Sequence, residues 1–256
     1  MRAFNTRTIW TLLCANLLLT GCGGAKVLKE PKPLPEALAP VAAANDAMLS
    51  TQLDWVIVRD GPGTWSRDAD WDEYLLRVEN LSAETITITA MQVEDSSGHD
   101  HAPLGGRKAL VKASRATARR YRDEGLTVKA GMGSGTMIAT GAAAGAVGAS
   151  LGAAAVFGST AAAATGLAAV AAAPVLIVGG VAKLGNAAAV DKEIVRRHSE
   201  FPVVLAAGEK QSMHVFFPIT PAPRQLVLTY QVDGRETALV IDTAAQLSGL
   251  HLGAAD

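Results

Sequence analysis

Beyond residue 22 the chain contains no cysteine; its two cysteines are Cys14 and Cys22. From residue 23 onward this excludes disulfides, cysteine-ligated zinc, catalytic thiols and thiol redox chemistry. Charge of either sign is absent from Ala130 to Ala182, a run of 53 residues without Asp, Glu, Lys or Arg. A charge bias is missing too, with 23 Lys and Arg against 24 Asp and Glu. Nothing therefore draws the chain globally towards nucleic acid or an acidic substrate. Its five histidines belong to no recurring acid–base constellation. No catalytic residue, metal site or cofactor is expected, and the chain reads as non-enzymatic.

What is present starts at the N-terminus. Arg2 and Arg7 precede Thr8–Thr20, an uncharged and mostly apolar run with Ile9, Trp10, Leu12, Leu13, Leu17, Leu18 and Leu19. That run is too short for a bilayer-spanning helix and suits the apolar region of a signal peptide. Leu19-Thr20-Gly21-Cys22 ends it. These four residues resemble the lipobox of bacterial lipoproteins. The resemblance implies that residues 1–21 are a leader removed on maturation. It also implies that Cys22 carries a thioether-linked diacylglycerol and an acyl chain on its new amino group. Several acyl chains anchor a protein stably, where a single chain does so only marginally. Enterobacterial lipoproteins with Asp after the acylated cysteine are retained in the inner membrane. Gly23 stands there in this chain, which implies a location in the cell envelope at the outer membrane, facing the periplasm.

Residues 22–50 read as a lipidated Pro/Ala-rich tether. Pro31, Pro33, Pro35 and Pro40 favour extended chain, and Ala37 to Leu49 offers a short helical piece.

The remainder reads as mainly β. Apolar runs at Leu53–Val58 and Tyr74–Val78, and the alternation of Thr85, Thr87 and Thr89 with Ile86, Ile88 and Ala90, have strand character. Val203–Leu205, Met213–Ile219, Leu226–Val232 and Arg235–Ile241 continue it. Asp233-Gly234 between the last two is a hairpin signal, because both central residues of a type I′ turn need positive φ. About seven strands in two groups predict an Ig-like β-sandwich, with one half in 51–106 and the other in 201–250. Residues 107–200 are then a helical insertion, with an uncharged Ala/Gly hairpin over 130–182.

Within that hairpin a break falls at Phe157-Gly158-Ser159-Thr160, leaving two arms of about 21 residues, each near the length of one membrane span. Gly141 and Gly145 are four apart, as are Gly148 and Gly152. Such pairs share a helix face and admit close packing of a second helix. The segment resembles the glycine-zipper stretches of bacterial membrane-associated proteins. Arg107 to Glu124 predicts a basic helix stopped by Gly125. Its Arg115, Arg119, Arg120 and Arg122 are candidates for contact with anionic lipid head groups. Lys192, Arg196 and Arg197 lie beyond the hairpin. Basic flanks in the periplasm run against the positive-inside rule for an inner-membrane hairpin.

Other patterns carry less. Gly148-Ala149-Ser150-Leu151-Gly152 has the spacing of a serine-hydrolase elbow but no strand before it. His99 and His101 lack an obvious third metal ligand. Asp68, Asp70, Asp72 and Glu73 do not match a calcium loop and read as a solvated acidic loop, with Trp65 and Trp71 capping the core. The expectation is a lipid-anchored envelope lipoprotein with a structural or assembly role. An oligomeric pore-forming component and a binding module of a secretion or surface apparatus are the alternatives. The partners expected are membrane lipid, through the diacylglycerol and acyl chain at Cys22, and a second copy or another envelope protein, with no nucleic acid.

Overall fold

Alternation of buried and exposed positions sets the strands. In Leu49–Ile57 the side chains of Leu49, Thr51 and Leu53 turn inward while Ser50, Gln52 and Asp54 do not; successive residues of a strand face opposite sides. The computed structural model describes residues 25–35, 39–131 and 179–252. Their order is β1 (Lys26–Val27), β2 (Ala42–Asn45), β3 (Leu49–Ile57), β4 (Ser66–Arg67), β5 (Trp71–Asn80), β6 (Ile86–Glu94), β7 (Asp100–His101), α1 (Arg107–Asp123), α2 (Gly179–Arg197), β8 (Val203–Leu205), β9 (Lys210–Pro218), β10 (Gln225–Val232), β11 (Arg235–Asp242) and α3 (Ala244–Leu247). The protein is mainly β. Eleven strands stand among the described residues where seven were expected; β1, β2, β4 and β7 were not foreseen.

Every ladder is antiparallel. One sheet runs β2-β3-β5-β9, a second runs β11-β10-β6-β7 with β8 also on β6, and β1 pairs with β4 alone. The buried faces of the two larger sheets share one apolar core. Leu53, Tyr74, Leu76, Val215 and Phe217 enter it from the first sheet, and Ile88, Val93, Leu228, Tyr230 and Ile241 from the second. The two sheets are also tied by the turn before β3. Asp46 accepts from the backbone of Met48 and Leu49 through Oδ1, and from Tyr230 Oη through Oδ2 (2.7 Å). The Asp233-Gly234 hairpin is as expected, with φ of 48° and 74° between directly paired β10 and β11.

The helices interrupt an edge strand. β10 covers one side of β6 from Thr87 to Glu94. β7 pairs with Val93 and Glu94, and β8 with Ile86 to Ile88, so both must lie on the opposite side. Both are antiparallel to β6 and run the same way. They are two ends of one edge strand, parted by residues 102–202.

Helices α1 and α2 cover the outer face of β5 and β9. Leu110 from α1 and Val190 and Ile194 from α2 form a second apolar cluster with Trp65, Trp71 and Phe216. The expected helix 107–124 is present. Gly125 ends it at φ 80°, and Leu126 N–H reaches back to the Tyr121 carbonyl (2.8 Å). That is the backbone pattern for which glycine after a helix is suited. Among the described residues no helix is long and apolar enough to cross a membrane.

Two expectations need correction. Ala42–Asn45 is a strand and not part of a helix, because β3 offers it four residues of ladder and Val41 and Ala42 enter the core. Nor is 22–50 a free tether over its whole length. Lys26 and Val27 pair with Arg67 and Ser66, Leu28 N–H reaches Trp65 O, Lys32 N–H reaches Thr64 O, and Gly63 N–H reaches Pro33 O. The prolines keep this stretch extended, and extended chain is what a ladder can hold.

Candidate functional site

Position 72 and position 73 face opposite sides of β5, and both are buried (1% exposed each). The acidic loop expected to be solvated therefore splits into two interior carboxylates. Burial of a carboxylate is costly unless its oxygens find donors; both oxygens of Glu73 find them, whereas Asp72 finds one for Oδ2 and none for Oδ1 among the described residues. Glu73 lies under the helices. Trp65 Nε1–H donates to Oε2 (2.7 Å), His214 Nδ1 lies 2.7 Å from Oε1, and Arg197 Nη1 from the end of α2 lies 3.5 Å from the same oxygen. The Arg197 guanidinium also stacks over the Trp65 ring at 5.1 Å. Trp65, expected as a cap on the sheet core, instead belongs to this layer.

Asp72 faces the other side. His251 Nε2 lies 2.6 Å from its Oδ2, and His251 Nδ1 lies 3.0 Å from the Lys129 carbonyl oxygen. Both ring nitrogens are occupied, so this pair has no nitrogen free to take a proton from a nucleophile. It is a clasp. It joins β5 to the C-terminal segment and to the residue just before the uncharged run, where Lys129 N–H also donates to His251 O (2.9 Å). Burial, and then the neighbouring Asp72 charge, push the Tyr74 phenol well above its ordinary range.

A third polar centre fixes the turn between β6 and β7. Asp95 is fully buried. Its Oδ2 meets His101 Nε2 at 2.9 Å, and its Oδ1 accepts Ser97 N–H and His99 N–H. Burial alone would raise its carboxyl, but the His101 and backbone hydrogen bonds prevail and bring it down to about 2. Tyr121 of α1 docks there, its hydroxyl 2.9 Å from Ser96 Oγ. His101 thus serves this carboxylate through its ring and His99 through its backbone N–H. No cluster of three or more metal-ligating groups occurs among the described residues.

The exposed face of α1 has a different character. Leu110, Ser114, Thr117 and Tyr121 turn inward. Lys108, Lys112, Arg115, Arg119 and Arg122, at steps of four, three, four and three, are all exposed. At 3.6 residues per turn these five fall within an arc of about 80° opposite the buried face, along about 21 Å of helix. None of them has an ion pair among the described residues. Across its whole length α1 carries seven cations and one acid, Asp123. Of the four arginines expected at a head-group surface, Arg115, Arg119 and Arg122 lie on this stripe. Arg120 is half-buried and points about 120° away from it, and Lys108 and Lys112 take its place. Arg107 is spent elsewhere, with its N–H on Asp191 Oδ1 (3.1 Å) and its Nε 3.7 Å from Asp191 Oδ2 in α2.

Cys22 and the glycines Gly141, Gly145, Gly148 and Gly152 lie outside the described residues. The spacing of basic residues was open to a sequence reading that asked for one helical face. The His251 clasp was not, because its partner is 179 residues away. Comparison with protein-family models, with curated proteins and with solved structures gives no match at any of the three levels.

Proposed function

We propose that the protein is a non-enzymatic lipoprotein of the cell envelope with a structural or assembly role. Acylated Cys22 anchors it at the outer membrane, facing the periplasm, and the Ala/Gly run adds a second membrane contact. Its body is taken to be an Ig-like β-sandwich divided by the helical insertion, a reading supported by the shared core of the two sheets.

One observation carries this reading. β1 begins at Lys26, four residues after Cys22, and Ala25 and Val27 pack against the apolar cluster to which Val190 and Ile194 of α2 belong. Extended chain spans at most about 3.6 Å per residue, so the leash is no longer than about 14 Å. A lipid on Cys22 would hold the helical layer, not the far end of a long spacer, against the bilayer. In sequence the uncharged run leads from the first helix of that layer into the start of the second.

Fractionation of two variants tests it. In 1 M salt, which screens contacts between exposed charges, Cys22→Ser should remain with the membrane, and Cys22→Ser lacking 131–186 should become soluble. If Cys22→Ser alone frees the protein, the Ala/Gly run makes no membrane contact. If labelled fatty acid does not enter the wild-type protein at Cys22, the lipid anchor itself is wrong.

A further inference from the structure

We infer that the exposed stripe of α1 is a docking surface for the anionic phosphate head groups of a bilayer lying parallel to the helix. This rests on the lipid-anchored reading, and it names what that anchored layer touches.

Three observations converge on it. First, Lys108, Lys112, Arg115, Arg119 and Arg122 form a single line of positive charge with no acid paired to any of them among the described residues. Long cations placed on one face and left without partners are not explained by stability, since the opposite face does the packing. Second, the leash from Cys22 enters the layer to which α1 belongs. β1 packs on α2, and Arg107 of α1 is held by Asp191 of α2. An acyl chain at Cys22 therefore brings α1 to within a few tens of ångströms of lipid phosphate. Third, the apolar face of α1 is committed to the body through Leu110 and Tyr121, both fully buried. This helix cannot turn an apolar side into the bilayer as a free amphipathic helix does. Ser114 reinforces the commitment, with its Oγ 2.6 Å from Asp70 O and accepting Ile219 N–H at 2.9 Å. What remains for contact is charge, so α1 rests on head groups without entering the hydrocarbon.

Such contact has a signature. Each Lys or Arg near an anionic surface strengthens binding about fivefold, and the attraction fades within a Debye length. Full-length Cys22→Ser protein, free of its own lipid, should float with phosphatidylcholine vesicles containing phosphatidylglycerol far better than with phosphatidylcholine alone. Combining Lys112→Gln, Arg115→Gln and Arg119→Gln should weaken binding to the anionic vesicles about a hundredfold. The pair Arg115→Lys and Arg119→Lys should leave it unchanged. All three Gln sites are exposed, and unchanged circular dichroism would show the helix intact. Raising salt from 0.1 to 1 M should abolish the difference between the vesicles.

Equal binding to neutral and anionic vesicles would overturn the inference and assign vesicle contact to the Ala/Gly run. So would a triple variant that binds like the parent. Displacement by millimolar inorganic phosphate at constant ionic strength would also overturn it, in favour of a site for small free anions. None of these outcomes bears on acylation of Cys22, which labelling reads separately.

Discussion

Phe216 and Phe217 are neighbours in β9, yet they enter two different interiors. Phe217 stacks edge-on against Tyr74 (5.1 Å between centroids) in the core between the sheets. Phe216 meets Trp65 edge-on (6.3 Å) beneath the helices. The first interior is closed by apolar side chains from strands that alternate in a simple period. The second is smaller and mixes tryptophans with a buried carboxylate, an arginine and a histidine. A sheet core of that size can rest on burial alone. A thin layer between sheet and helices has fewer apolar contacts to share, and directional polar bonds fix how α2 sits.

The contrast is open to direct challenge. Glu73→Ala should have the largest effect, because it leaves Trp65 Nε1 and His214 Nδ1 without their acceptor in the layer under the helices and leaves Arg197 with Glu193 alone. Removal of one partner from a buried charged group costs about 3 to 5 kcal/mol. Chemical denaturation should show that loss, and hydrogen exchange should show α2 loosening more than β10. Equal loosening of both would mean the two interiors are one cooperative unit.

Leu76→Ala, in the sheet core, should cost about 3 kcal/mol, within the usual range for a buried leucine. Here the loss should be spread evenly, with no preferential exchange in α2. A local response confined to the helices would reverse the comparison.

Asp95→Asn should have the smallest effect, at about 2 kcal/mol near neutral pH. Its carboxyl titrates lower in the folded chain, about 2, than its ordinary 3.8. The stabilisation it gives is therefore complete above about pH 4 and is lost as pH falls towards 2. The wild type should lose stability through that window, and the variant should lose less. Parallel curves for the two proteins would show that Asp95 is not the titrating group.

Much of the sheet core was legible in the sequence, since its strands announce themselves by alternation and the Asp233-Gly234 turn by its chemistry. The helix over 107–123 was legible from alanines, basic residues and Gly125. The second interior was not. Asp72 and Glu73 look like part of a hydrophilic loop, because neither local composition nor period shows that His251 and Arg197 will arrive to cover them. Ala42–Asn45 misleads for a related reason: alanine favours a helix locally, and only the pairing with β3 overrides that preference. For the basic stripe, the spacing of 108, 112, 115, 119 and 122 already places them on one helical face; that the opposite face is the buried one needed the fold.

The interrupted edge strand has a consequence for the order in which the chain acquires structure. Until residue 203 exists, β6 has only its two-residue pairing with β7. Its long ladder, with β10, joins residues more than 130 positions apart. β5 has β3 beside it early and waits for β9 only on its other side. Synthesis proceeds from the N-terminus, and pairings of such high contact order form slowly. Through most of its elongation the polypeptide can form only the β2-β3-β5 part of the first sheet, and the second sheet, with the core the two share, waits until the last fifth of the chain is made.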